Sequence, residues 1–86
     1  MNPMQQLFAE WPAAIDRKGT VITSWGDSVP FIDYMVNGEL LLLIRSQPDA
    51  HGTRRLILNI NDVQGIRITE ALDPVKFQAM GFQSIG

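Results

Sequence analysis

The sequence predicts a mainly β domain, five short strands with a helix at each end. Three observations carry this reading. Apolar residues fall at helical spacing near the N-terminus, at Met4, Leu7, Phe8 and Trp11. From Thr20 to Thr69 the β-branched, aromatic and aliphatic residues gather in short runs bounded by Gly, Pro, Asn and Asp. Asn37-Gly38 stands between two of those runs and is a strong hairpin signal.

Each element follows in turn. Asn2 can cap a helix whose first position is Pro3, and Gln5 completes a capping box. The stripe Met4, Leu7, Phe8, Trp11 gives that helix one apolar side, and Pro12 ends or kinks it. The first strand is Thr20 to Trp25, closed by Gly26-Asp27. The second runs from Val29 to Val36, and Pro30 confines its start to an edge or a bulge. Asn37-Gly38 then makes a type I′ turn, which needs positive φ at both positions. The third strand, Glu39 to Arg45, contains Leu40-Leu41-Leu42-Leu43-Ile44 and does not alternate. Such a run predicts cover on both faces, from the N-terminal helix or from a neighbouring subunit. Pro48 to Gly52 is the next turn. The fourth strand, Arg55 to Asn61, alternates: Leu56, Leu58 and Ile60 face one way, Arg55, Ile57 and Asn59 the other. Asp62 caps a tight link to a fifth strand, Ile66 to Thr69. Asp73-Pro74 starts a short helix that stops near Gly81.

The chain has 86 residues, 45% of them hydrophobic and 19% charged, enough for one small core and too few charges for a disordered chain. A domain this size buries only about 60% of its unfolded surface. It has no cysteine, so neither a disulfide nor a thiolate zinc site can staple it. Self-association is a common remedy, and a homo-oligomer is the expectation. Lack of cysteine also suits a reducing compartment. The N-terminus has neither the basic start nor the apolar run of a signal peptide, and no run approaches a membrane span. A soluble, cytoplasmic protein without membrane partners is expected. The net charge of −2 gives no global attraction to nucleic acid.

Asp33-Tyr34-Met35-Val36-Asn37 has the residue types of an Asp, hydrophobic, Asn motif near the turn between strands two and three. With the order helix, five strands, short helix, it resembles the Sm-like family of SH3-like small β-barrels, over roughly Pro3 to Ile68. The resemblance implies a five-stranded antiparallel SH3/Sm-like barrel with an N-terminal helix, a habit of self-assembly and RNA contact. Carried over to this chain, the RNA contact falls on Asp33, Tyr34 and Asn37. The link between the last two strands, Asn61-Asp62-Val63-Gln64-Gly65, has no arginine until Arg67. The glycine usual in strand two is also missing, with Pro30-Phe31-Ile32 in its area.

Chemistry is sparse. The one histidine, His51, sits in a Pro- and Gly-bounded turn, a poor place to hold a base. No carboxylate spacing suggests a metal or an acid–base pair, and no glycine pattern cradles a phosphate. The expectation is a non-catalytic domain without cofactor or metal. Arg45, Arg54 and Arg55 flank the Pro48–Gly52 turn and form a positive end of the sheet. Ordinary or intersubunit salt bridges are the expected use, and contact with an anion or single-stranded nucleic acid the alternative. Trp25 and Tyr34 are read as packing residues before a stacking surface. For a subunit interface the candidates are Leu41, Leu43, Ile57 and Asn59, with a protein partner as the second occupant.

Overall fold

The computed structural model describes residues 3–71 and 73–85. It contains six strands in two three-stranded antiparallel sheets, ordered β2-β1-β6 and β3-β4-β5. Helix α1 spans Pro3–Ala9 and the strands are β1 Gly19–Thr23, β2 Ser28–Phe31, β3 Asp33–Asn37, β4 Leu40–Ile44, β5 Arg55–Asn59 and β6 Val63–Arg67. A 3-10 helix, Ile60–Asp62, links β5 to β6, and a second covers Pro74–Met80. The proposed Asn2 cap lies outside the described residues.

The predicted second strand is divided. Ile32 separates β2 from β3, and its amide donates to the Ile44 carbonyl at 2.8 Å. One continuous stretch of chain thus serves both sheets, turning the corner at a single residue. Pro30 lies in β2, opposite Thr20, and β2 is an edge of its sheet, where the missing N–H leaves no ladder bond unmade. The predicted fourth strand stops at Asn59, whose side-chain oxygen accepts from the Asn61 amide at 2.9 Å and caps the 3-10 turn. Asp62 does not cap that turn. Its carboxylate accepts from the Ser24 hydroxyl at 3.2 Å and its carbonyl from the Ser24 amide at 2.7 Å. This clamp ties the β1–β2 turn to the start of β6.

The β3–β4 hairpin turns one residue later than expected. Asn37 pairs with Leu40, leaving Gly38-Glu39 as the two-residue loop. Only Gly38 has positive φ, at 58°, and Asn37 remains in the strand, so the type I′ expectation fails. A glycine at the first loop position is the II′ arrangement, which suits strand twist equally well. Gly19 is required for another reason. A Cβ there would sit 2.7 Å from the Arg67 carbonyl oxygen, at the closest approach of β1 and β6.

The core is one cluster that joins both sheets to the N-terminal segment. Phe8, Trp11 and Ile15 pack with Val21, Val29, Phe31, Tyr34, Leu41, Leu43, Leu58, Ile60 and Val63. Tyr34 sits at its centre, edge-on to Phe8 at 4.8 Å and to Trp11 at 5.7 Å between ring centroids. Such pairs contribute roughly 0.5–1.5 kcal/mol each beyond their burial. The Tyr34 hydroxyl donates to the Phe8 carbonyl at 2.6 Å, and the Trp11 indole N–H to the Ile15 carbonyl at 3.0 Å. The two polar tips buried with the aromatic cluster are therefore satisfied. The Gln5 amide donates to the Gly38 carbonyl at 3.2 Å, anchoring α1 over the hairpin.

Candidate functional site

The β3-β4-β5 sheet has two unlike faces. Antiparallel pairing sets Met35 opposite Leu42 and Leu42 opposite Ile57. These three side chains form a row across the middle of the outer face. Met35 is 61% exposed and Ile57 66%, while Leu42, between them, is half-buried. One row on, Asn37, Leu40 and Asn59 align; on the other side, Asp33, Ile44 and Arg55 do. The face is thus an apolar cross of Met35, Leu42, Ile57, Leu40 and Ile44, with polar groups at its four corners. Its inner counterpart, Tyr34, Leu41, Leu43 and Leu58, is core.

This arrangement corrects part of the expected interface. Leu41 and Leu43 are fully buried against Tyr34 and Leu58 and offer nothing to a second molecule. Ile57 and Asn59 do stand on the exposed face. Met35 joins this face, with Leu40, Leu42 and Ile44 of the apolar run. The unbroken apolar run hides which residues face out, because strand parity is read only against a neighbour of known facing. That neighbour is β5, whose alternation identifies Ile57 as outward, and the hairpin register carries its facing to Leu42 and Met35. Among the described residues the expected cover on both faces of this strand is also absent, since α1 lies on the core side.

The arginines are only partly brought together. The Arg45 amide donates to the Arg54 carbonyl at 3.1 Å, so those two backbones are adjacent. Arg55 belongs to the outer-face row with Ile44 and Asp33. Among the described residues none of the three forms a salt bridge, although, after the hydrogen bond from the Thr53 backbone, the Arg45 charge helps to lower the Asp49 pKa. Arg45 Nε donates to the Gln47 carbonyl at 3.3 Å and an Arg55 guanidinium nitrogen to the Arg54 carbonyl at 3.2 Å. Among the described residues the ion pairs are Arg17–Asp33 at 3.8 Å and Lys18–Glu70 at 2.7 Å. Hydrogen bonding to Glu70, then its charge, raises the Lys18 pKa.

The residues assigned by the resemblance separate as well. Tyr34 is buried and cannot stack on a base, whereas Asp33 and Asn37 are exposed on the outer face. Burial pushes the Tyr34 phenol up to about 12, against the opposing pull of Arg17, whose guanidinium lies 4.8 Å over the ring. Trp25 lies in a turn past β1, is 56% exposed, and donates to the Asp27 carboxylate at 2.8 Å. His51 is exposed in a loop organised by Asp49, whose carboxylate accepts from the His51 amide at 2.8 Å and the Thr53 amide at 2.9 Å. Those bonds, led by Thr53, hold the Asp49 pKa below its ordinary value.

Among the described residues no group of three His, Asp or Glu is placed to hold a metal, and no helix is long and apolar enough to cross a membrane. An open groove of about 540 Å³ runs between α1 and the C-terminal 3-10 helix, past Leu7, Glu10, Met80 and Phe82. No protein-family profile, curated protein or solved structure matches this chain.

Proposed function

We propose that this is a non-catalytic association domain, built as an SH3/Sm-like small barrel, that self-associates or binds a protein partner in the cytoplasm. The carrying observation is the outer face of β3-β4-β5, where Met35 and Ile57 flank Leu42 and no element among the described residues covers them. Apolar surface gathered in one place, rimmed by polar groups, marks an interaction site more than scattered exposed residues do. The barrel reading has its own support. Two three-stranded sheets, β2-β1-β6 and β3-β4-β5, do not form a closed barrel, but with only Ile32 between β2 and β3 their order matches that of a bent five-stranded sheet whose second strand turns a corner. The N-terminal helix packed on the core accords with it.

Light scattering on a size-exclusion column tests the association. A particle heavier than the 9.6 kDa chain at micromolar concentration supports self-association. A monomer at every concentration, with no partner retained by the wild type and lost by Ile57→Asp, overturns the proposal.

Nucleic-acid binding is the second reading, favoured by Arg54 and Arg55, for which no salt bridge forms among the described residues. It expects a salt-dependent affinity for mixed single-stranded RNA that weakens when Arg54 and Arg55 become Ala. No binding at low salt removes it.

A further inference from the structure

We infer that the outer face of β3-β4-β5 takes a second copy of the same chain, in a two-fold dimer whose axis runs along β4 and joins Asp33 of each copy to Arg55 of the other. The inference rests on the association reading above and names its partner.

The argument is in the rows. Asp33, Ile44 and Arg55 lie in one register line, so opposite charges stand at its two ends. Neighbouring strands are about 4.8 Å apart, which separates the two backbones by about 10 Å within one chain. Asp33 meets Arg17 there, and Arg55 turns back to the Arg54 carbonyl. A two-fold contact is self-complementary: if residue i of one copy meets j of the other, j meets i. Rotation about an axis along β4 exchanges β3 with β5 and leaves position along the strand unchanged. Asp33 then faces Arg55, Met35 faces Ile57, Asn37 faces Asn59, and Leu42 meets its own copy.

Every row is matched under that single operation. Charge meets opposite charge at one end, amide meets amide at the other, and the apolar row closes on itself between them. Packed sheets lie about 10 Å apart, a gap that an arginine and an aspartate side chain span together. Aligned sheets cross their strands by up to about 30°, which tilts the axis by about 15° from β4 and displaces the corner pairs by less than an arginine can reach. An unrelated partner has no reason to find opposite charges at the two ends of one row. A second copy meets both.

The test uses charge exchange read by light scattering and sedimentation. The wild type is expected to be a dimer. Arg55→Asp places two carboxylates together at each end, and Asp33→Arg two guanidiniums. Each variant alone is expected to dimerise about tenfold more weakly or worse. Mixed one to one, they restore opposite charges at both ends and are expected to recover the dimer as a heterodimer. Leu42→Asp and Leu42→Lys give a second reading that leaves the Arg17–Asp33 contact alone. A residue on the axis meets itself, so each is expected to fail alone and the mixture to assemble. Circular dichroism checks that each variant is folded.

If the wild type assembles but neither mixture recovers what its components lost, the two-fold arrangement is overturned and self-association stands. A wild type that assembles with these variants unimpaired has the same consequence. A wild-type monomer that captures another protein through Ile57 overturns the inference and leaves the association reading. A monomer that captures nothing overturns both.

Discussion

Strand β4 sets two leucines against two others. Leu41 and Leu43 are fully buried, closed over by Tyr34 and Leu58, while Leu40 is 46% exposed and Leu42 half-buried on a bare face. The residue type is the same and the positions alternate. Only parity decides which pair builds the fold and which is left for another molecule. The inner pair contributes to folding cooperatively with the aromatic cluster. The outer pair contributes little until something covers it, because exposed apolar area in the monomer resembles that in the unfolded chain.

Truncating the inner face is the harshest test of this contrast. Leu43→Ala is expected to lose about 2–5 kcal/mol of stability, the range for emptying a packed leucine site. Urea unfolding at a concentration low enough to keep the chain monomeric measures it. A loss as small as that of an outer-face leucine would break the comparison.

Ionising the inner face tests it a second way. The Tyr34 phenol is raised from 10.0 to about 12, chiefly by burial. Folding therefore favours its protonated form. Stability from this group is fully present below pH 10 and is lost as pH rises through about 12. Two pK units correspond to about 2–3 kcal/mol. Tyr34 is the chain's single tyrosine, so tyrosinate absorbance follows it without interference. Tyr34→Phe removes the alkaline loss and strands the Phe8 carbonyl, at about 1 kcal/mol near neutral pH. Titration of the folded chain at an ordinary phenol value would mean that the core face is open to water.

The outer face gives the reverse expectation. Leu42→Ser is expected to change monomer stability by no more than about 0.5 kcal/mol, as for other substitutions away from the core. Its effect belongs to association, read by light scattering on the same sample. A large loss of monomer stability would place Leu42 in the core and remove the distinction between the faces.

Much of this fold is legible in the sequence, for reasons tied to particular residues. The stripe Met4, Leu7, Phe8 predicts the side of α1 that meets the sheets, and Trp11, just past the end of α1, joins the same core. Leu56 and Leu58 predict the inner side of β5 by alternation, and Ile60, in the 3-10 turn that follows, is buried on that side too. Glycine at 38 marks the hairpin to within one residue, since glycine serves either loop position and the sequence does not choose. The break at Ile32 leaves no mark, because a corner made by one residue keeps the strand composition on both sides. The exposed face is half legible. Ile57 and Asn59 follow from alternation, but Leu41 and Leu43 enter wrongly because a run of five aliphatic residues carries no phase. Asp33 enters through the resemblance and Arg55 through the positive end of the sheet, and their common row exists only once the register is known.

The hairpin's far loop supplies the mildest test, since it lies at the end of both faces. The Asp49 carboxylate accepts amide hydrogens from Thr53 first and also from His51, which lowers its pKa from 3.8. A lowered folded-state pKa stabilises above the unfolded value, and that contribution disappears as pH falls through the folded one. Acid should therefore loosen this loop below about pH 4. Asp49→Asn keeps an oxygen acceptor for both amides without a charge to titrate. Its melting temperature is expected to fall less steeply with acid than the wild type's, with assembly unchanged because Asp49 lies outside the rows of the outer face. Parallel acid slopes would show that the carboxylate's charge does not organise this loop. A change in assembly would show that the associating surface runs past Arg55 into the turn, and that the contrast between the two faces does not end with the strands.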